Sequence, residues 1–131
     1  MLSKDEVKLY LIGLWLLIKG DAIGSRCLDL TDRGLKRSFL APVICLPAIF
    51  VSWLWWAKTV ESVTGYNASQ DPLFYIRLAL VDAICWMVPI ICMGTLLYIF
   101  NAGRKFSALV TCSNWLALPF TYIYACLILI A

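Results

Sequence analysis

Residues 38–57 read SFLAPVICLPAIFVSWLWWA, 20 consecutive uncharged residues held between Arg37 and Lys58. A helix advances about 1.5 Å per residue and a hydrocarbon core is about 30 Å thick, so this stretch has the length of one membrane crossing. It closes on Trp53, Trp55 and Trp56, an aromatic belt of the kind found at headgroup boundaries. Pro42 and Pro47 lie within it. Each removes an amide donor, so a bend packed against neighbouring protein is expected here.

Working outward, Leu73 to Phe100 gives 28 residues with only Arg77 and Asp82 charged, and Phe106 to Ala131 gives 26 with no charge at all. Both are long enough to span with some tilt. A polar loop, Thr59 to Pro72, separates the first crossing from the second, and the basic turn Asn101-Ala102-Gly103-Arg104-Lys105 separates the second from the third. The run Leu127 to Ala131 has no polar residue after it, so either the carboxylate caps the last helix or the natural chain continues.

Upstream, Ser3 and Glu6 form a capping box, which starts a helix over residues 4–19. Its apolar part, Leu9 to Ile18, covers about 15 Å and is too short to cross. It is expected to lie in or dip into the membrane interface with Trp15 at headgroup depth. Residues 20–37 are the most polar part of the chain and form a surface connector, with Thr31 or Asp32 capping the next helix. The expectation is an all-α integral membrane protein, a single membrane domain with three transmembrane helices (38–57, 73–100 and 106–131) and an N-terminal interfacial helix.

Composition points the same way. Hydrophobic residues make up 63% of the 131 and charged residues 15%, whereas soluble domains average about 45–50% and about 25%. A soluble chain of this size leaves roughly a third of its unfolded surface in water. Leu, Ile, Val and Trp at this density would coat that surface, and lipid is the solvent that tolerates them. Seven Lys and Arg precede Ser38 and two lie in the 101–105 turn, against Lys58 and Arg77 on the other side. Nine against two places the N-terminus in the cytoplasm.

Several chemistries lack their residues. Histidine is absent, which removes the commonest metal ligand, the usual haem ligand and the usual general base. The six cysteines contain no C-x-x-C pair, and five sit in apolar runs, where they read as small buried packing residues. No phosphate-binding glycine loop, nucleophile triad or paired carboxylates occur, so no enzyme, metal or cofactor is expected. The net charge of +3 is modest and scattered at helix ends, which argues against nucleic-acid binding.

Asp82 is the one acid inside an apolar run, and an ionisable group in a crossing is a candidate functional site. It lies two to three turns from the outer end of its helix, where Lys58 and Arg77 could reach toward it and Ser52 should share its height. A structural ion pair is preferred there over a proton or ion relay. Asn114, with Thr111, Ser113 and Thr121, is the polar part of the third helix, read as cross-helix hydrogen bonding, with a polar substrate path opened by Pro119 as the alternative. Asn114 enters from the cytoplasmic side and Asp82 from the outer side, so the two are not expected to share one site. Ser38 and Cys45, and Cys85 and Cys92, are seven apart on one face each, a spacing of small residues that suits partner helices.

The segments Glu6-Val7-Lys8-Leu9-Tyr10, Gly13-Leu14-Trp15, Asp29-Leu30-Thr31-Asp32-Arg33-Gly34, Trp53-Leu54-Trp55-Trp56 and Asn114-Trp115-Leu116-Ala117-Leu118-Pro119 together resemble small uncharacterised multi-pass proteins of proteobacterial inner membranes, some loosely labelled transporters. The resemblance implies a bacterial inner-membrane location and no catalytic residues. The functional expectation is a non-catalytic membrane subunit that meets lipid and other integral membrane subunits at the edge of a larger complex, respiratory or photosynthetic. The alternative is a small homo-oligomeric transporter or channel with Asp82, Asn114 and Arg77 lining a path.

Overall fold

The computed structural model describes residues 3–131 as five α-helices: α1 Lys4–Ile18, α2 Asp32–Ser38, α3 Leu40–Thr64, α4 Pro72–Ile99 and α5 Phe106–Ile130. Short 3-10 turns at Ala22–Cys27, Ala68–Gln70 and Gly103–Lys105 join them. Three segments are long and apolar enough to cross a membrane: Asp32–Thr64, Pro72–Ile99 and Gly103–Ile130. The fold is therefore all-α and multi-pass, with an additional N-terminal helix.

Local chemistry sets the helix ends. Ser3 and Glu6 form the expected capping box on α1, and Thr31 caps α2 through the Gly34 amide. Asp71 caps α4, with Pro72 in the first turn, where its missing N–H has no partner to lose. The break between α2 and α3 falls at Phe39, just upstream of Pro42. Proline clashes with the carbonyl four residues earlier, here that of Ser38, so Pro42 marks the start of α3 and does not bend its middle. Pro47 does lie inside the helix, and beside the ladder it thins, the Tyr122 hydroxyl of α5 donates to the Ile44 carbonyl at 2.9 Å.

The first crossing runs two turns past Ala57, through residues read from polarity as loop, and stops at Gly65 in the left-handed region (φ 70°). Lys58 and Glu61 are compatible with an exposed helix; the left-handed glycine ends it.

The core lies between α3 and α5. Ser38, Ala41, Cys45 and Ala48 recur on one face at helical spacing and are buried. Their small side chains admit Val110, Asn114, Trp115 and Leu118 of α5. The Ser38–Cys45 face expected to meet a partner thus packs on this chain's own α5. Of the cysteines only Cys45 is buried; Cys85, Cys92 and Cys126 are exposed, which corrects the reading of the set as buried packing residues. They lie on outward or cleft-facing positions that lipid tolerates as well as protein does.

Helix α1 joins this core through Tyr10 and Leu14. The Tyr10 and Trp115 rings are 4.9 Å apart, and further along Trp15 and Ile18 line an apolar groove with Pro119 and Ile123. Successive turns of α1 meet successive turns of α5, at points about 14–26 Å along α5 from Phe106. The helix therefore packs beside the middle of a candidate span, with Trp15 against that middle and not level with the end of α5. The chain then turns at Gly20 (φ 82°) and folds back on α1: a Cβ on Gly24 would lie 2.3 Å from the Gly13 carbonyl oxygen. Glu6 ties this hairpin to α2 through an ion pair with Arg37 at 3.2 Å. The Ser3 amide, followed by the charge and hydrogen bond of Arg37, holds the Glu6 carboxyl below its ordinary range.

Candidate functional site

Helix α4 stands apart from the rest. Ile90 is its only buried residue, and between it, α3 and α5 opens a cleft of about 480 Å3. Besides the stacked Phe50 and Tyr75 rings, 6.5 Å apart, three links hold α4 to the bundle. The Trp53 indole N–H donates to an Asp82 carboxylate oxygen at 2.7 Å, the Trp86 indole N–H donates to the Asn114 side-chain carbonyl at 3.1 Å, and Gly94 admits the Phe106 ring, which a Cβ there would meet at 3.2 Å.

Asp82 lies about 15 Å along α4 from Pro72 at 1.5 Å per residue and lines the cleft with Ser52. The Ser52 hydroxyl faces the same cleft as Asp82 but donates to the Ile49 carbonyl of its own helix at 2.6 Å. No ion pair to Asp82 forms from Lys58 or Arg77. Among the described residues Arg37–Glu6 is the one salt bridge. Both basic side chains are exposed, and the charge of Arg77 acts on Asp71 instead. There the Tyr66 hydroxyl donates to the Asp71 carboxylate, which, with the Arg77 charge, holds that carboxyl below its usual range. The loop preceding α4 offers Arg77 a solvated acid, and snorkelling toward water favours it.

Asn114 is 1% exposed and sits at the centre of a relay across three helices. Its amide N–H donates to the Ser38 hydroxyl of α2 at 2.9 Å while its carbonyl receives Trp86 of α4. Ser38 in turn donates to the Leu35 carbonyl at 2.7 Å. Every polar atom of the relay has a partner, as cross-helix packing in lipid demands. Asn114 is not among the residues lining the cleft, whereas Ser113 and Thr121 are. Asp82 and Asn114 thus occupy separate places, joined only through the wall that Trp86 contributes to the cleft.

Sequence reasoning missed the two tryptophans. The sequence groups Trp53 in the belt with Trp55 and Trp56; the latter two meet edge to face at 5.4 Å, while Trp53 turns inward to Asp82. Trp86, flanked by cysteine and methionine inside an apolar run, carried no signal beyond its single N–H. An indole N–H withdrawn from water needs an acceptor, but nothing in the sequence says which of the six tryptophans turns inward to Asp82 or Asn114.

Chemically the cleft offers one carboxylate, hydroxyl oxygens and aromatic faces, with no basic residue in its lining. No cluster of His, Cys, Asp and Glu able to hold a metal ion occurs among the described residues. No family model, curated protein or solved structure matches the chain, so the likeness carried by the short motifs stands on those motifs alone.

Proposed function

We propose that the protein is a non-catalytic integral membrane subunit that packs against further membrane helices at the edge of a larger complex. The observation that carries this reading is the isolation of α4. Helix association in lipid rests on van der Waals packing and interhelical hydrogen bonds, because lipid tails are as apolar as the side chains they replace. Helix α4 has two such hydrogen bonds and one buried residue over 28 positions, so its support comes from outside the bundle. Ile76, Leu80, Ile84, Met87 and Ile91, all exposed, recur on the face available to such a partner. The preponderance of Lys and Arg before Ser38 and in the 101–105 turn favours a cytoplasmic N-terminus, and the motif resemblance favours a bacterial inner membrane.

Extraction from native membrane in mild detergent, followed by mass spectrometry of the intact particle, tests this. A particle with further membrane polypeptides bound is expected, and a lone chain overturns the reading.

One observation favours a second reading, a small homo-oligomeric transporter: an acid without a cationic partner faces a cleft of small-molecule size, since ligand pockets run about 300–1,000 Å3. Asn114, locked in its relay, is not part of such a path. Substrate flux into proteoliposomes containing only this protein would support it, and an Asp82→Asn protein with unchanged flux would overturn it.

A further inference from the structure

We infer that the α3–α4–α5 cleft is a binding site for a monovalent organic cation with an apolar body, held by Asp82. The inference rests on the cleft and not on the subunit assignment; it gives the second reading its ligand class and holds whether or not transport follows.

One oxygen of Asp82 receives the Trp53 N–H. Among the described residues the other has no hydrogen-bond partner, and no Lys or Arg lines the cleft or pairs with the acid. A carboxylate placed among apolar walls is costly unless an opposite charge or a proton answers it. The rest of the lining selects between answers. The Ser52 and Thr121 hydroxyls spend their protons on the Ile49 and Ala117 carbonyls of their own helices, which leaves their oxygens as acceptors toward the cleft. Pro89, also in the wall, has no N–H, so the Cys85 carbonyl four residues earlier loses its helical donor. Trp86, Phe120 and Tyr124 contribute aromatic surface, whose faces attract cations, Trp the most strongly.

Acceptors and aromatic faces around one acid disfavour an anion and leave a small hydrated metal ion without enough oxygen ligands, six or more for calcium. An alkylammonium needs neither. Its charge meets Asp82, its carbon substituents meet the Ile49, Ile90 and Met93 side chains, and about 480 Å3 holds an amine carrying one aromatic ring.

The test uses the full chain in nanodiscs of digalactosyldiacylglycerol, an uncharged lipid without an ammonium headgroup, and radiolabelled benzyltrimethylammonium, measured by equilibrium dialysis against empty discs. Saturable binding of one cation per chain is expected, weakened about tenfold or more, roughly one lost charge contact of 1.4 kcal/mol, by Asp82→Asn. Asparagine still accepts from Trp53, so the link between α3 and α4 persists. A second measurement needs no variant: neopentylbenzene, the uncharged carbon isostere, at excess over the cation is expected to leave the bound label in place. Absence of saturable binding, equal affinity of the Asp82→Asn protein, or displacement by neopentylbenzene would each overturn the inference. Copurifying subunits and flux are read separately, so failure here leaves those results standing.

Discussion

Trp53 donates its indole N–H to Asp82 across the α3–α4 boundary at 2.7 Å, and with the stacked Phe50 and Tyr75 rings this bond holds the N-terminal half of α4 to α3. Removing the donor by Trp53→Phe leaves a carboxylate oxygen without a partner in an apolar wall. A loss of about 1–2 kcal/mol is expected, whereas Asp82→Asn, which keeps the acceptor, costs less. Thermal unfolding in detergent orders the two variants, and the reverse order would show that the charge, and not the hydrogen bond, sets the geometry.

The relay from Trp86 through Asn114 to Ser38 predicts coupling between helices distant in sequence. Asn114→Ala leaves the Trp86 indole N–H without an acceptor and the buried Ser38 oxygen without its donor, and should lower stability by about 2–3 kcal/mol. Ser38→Ala alone should cost about 1 kcal/mol, and the double variant less than the sum, with coupling of about 0.6–1.7 kcal/mol. Additive effects would place the two residues in independent environments.

Two close approaches demand glycine. A Cβ on Gly34 would lie 1.7 Å from the Asp29 carbonyl oxygen, and one on Gly24 would lie 2.3 Å from that of Gly13. Neither backbone atom can move without opening the connector or the α1 hairpin, so Gly34→Ala and Gly24→Ala are each expected to cost about 1–3 kcal/mol. Gly103, with nothing within 4 Å of its Cβ position, is the control. Faster proteolysis of the N-terminal segment in the first two and not in Gly103→Ala is the expected readout.

The Glu6–Arg37 ion pair gives the hairpin a pH dependence. The folded-state carboxyl lies below its ordinary value of 4.5, so its contribution is fully present above that value and is lost as pH falls through the depressed one. Hydrogen exchange of the α1 amides should therefore accelerate below about pH 4.5 relative to α5, and Glu6→Gln should remove that dependence while raising exchange at neutral pH.

The spans were legible because lipid imposes length and apolarity on contiguous residues, and those are properties of the string. Observed α4 and α5 begin and end within a residue of the expected limits. The end of α3 was less legible: polarity after Ala57 announces water, not the end of a helix, and only Gly65 marks the stop. The site was half visible. Asp82 and Asn114 stand out because ionisable and amide groups are conspicuous among apolar neighbours. Their partners were not, since Trp53 and Trp86 look like any membrane tryptophan until the packing of α3 and α5 decides which face turns inward. Lys58 and Arg77 were within plausible reach of Asp82, and only the loop bearing Asp71 shows why Arg77 turns elsewhere.

The account rests on α3 carrying the chain from one face of a bilayer to the other. In a variant without native cysteines, Lys36→Cys and Lys58→Cys introduced one at a time in sealed vesicles and challenged with a membrane-impermeant maleimide test this directly. Labelling of only one of the two before permeabilisation, and of both after it, is the predicted result; labelling of both from the same face of intact vesicles would contradict it.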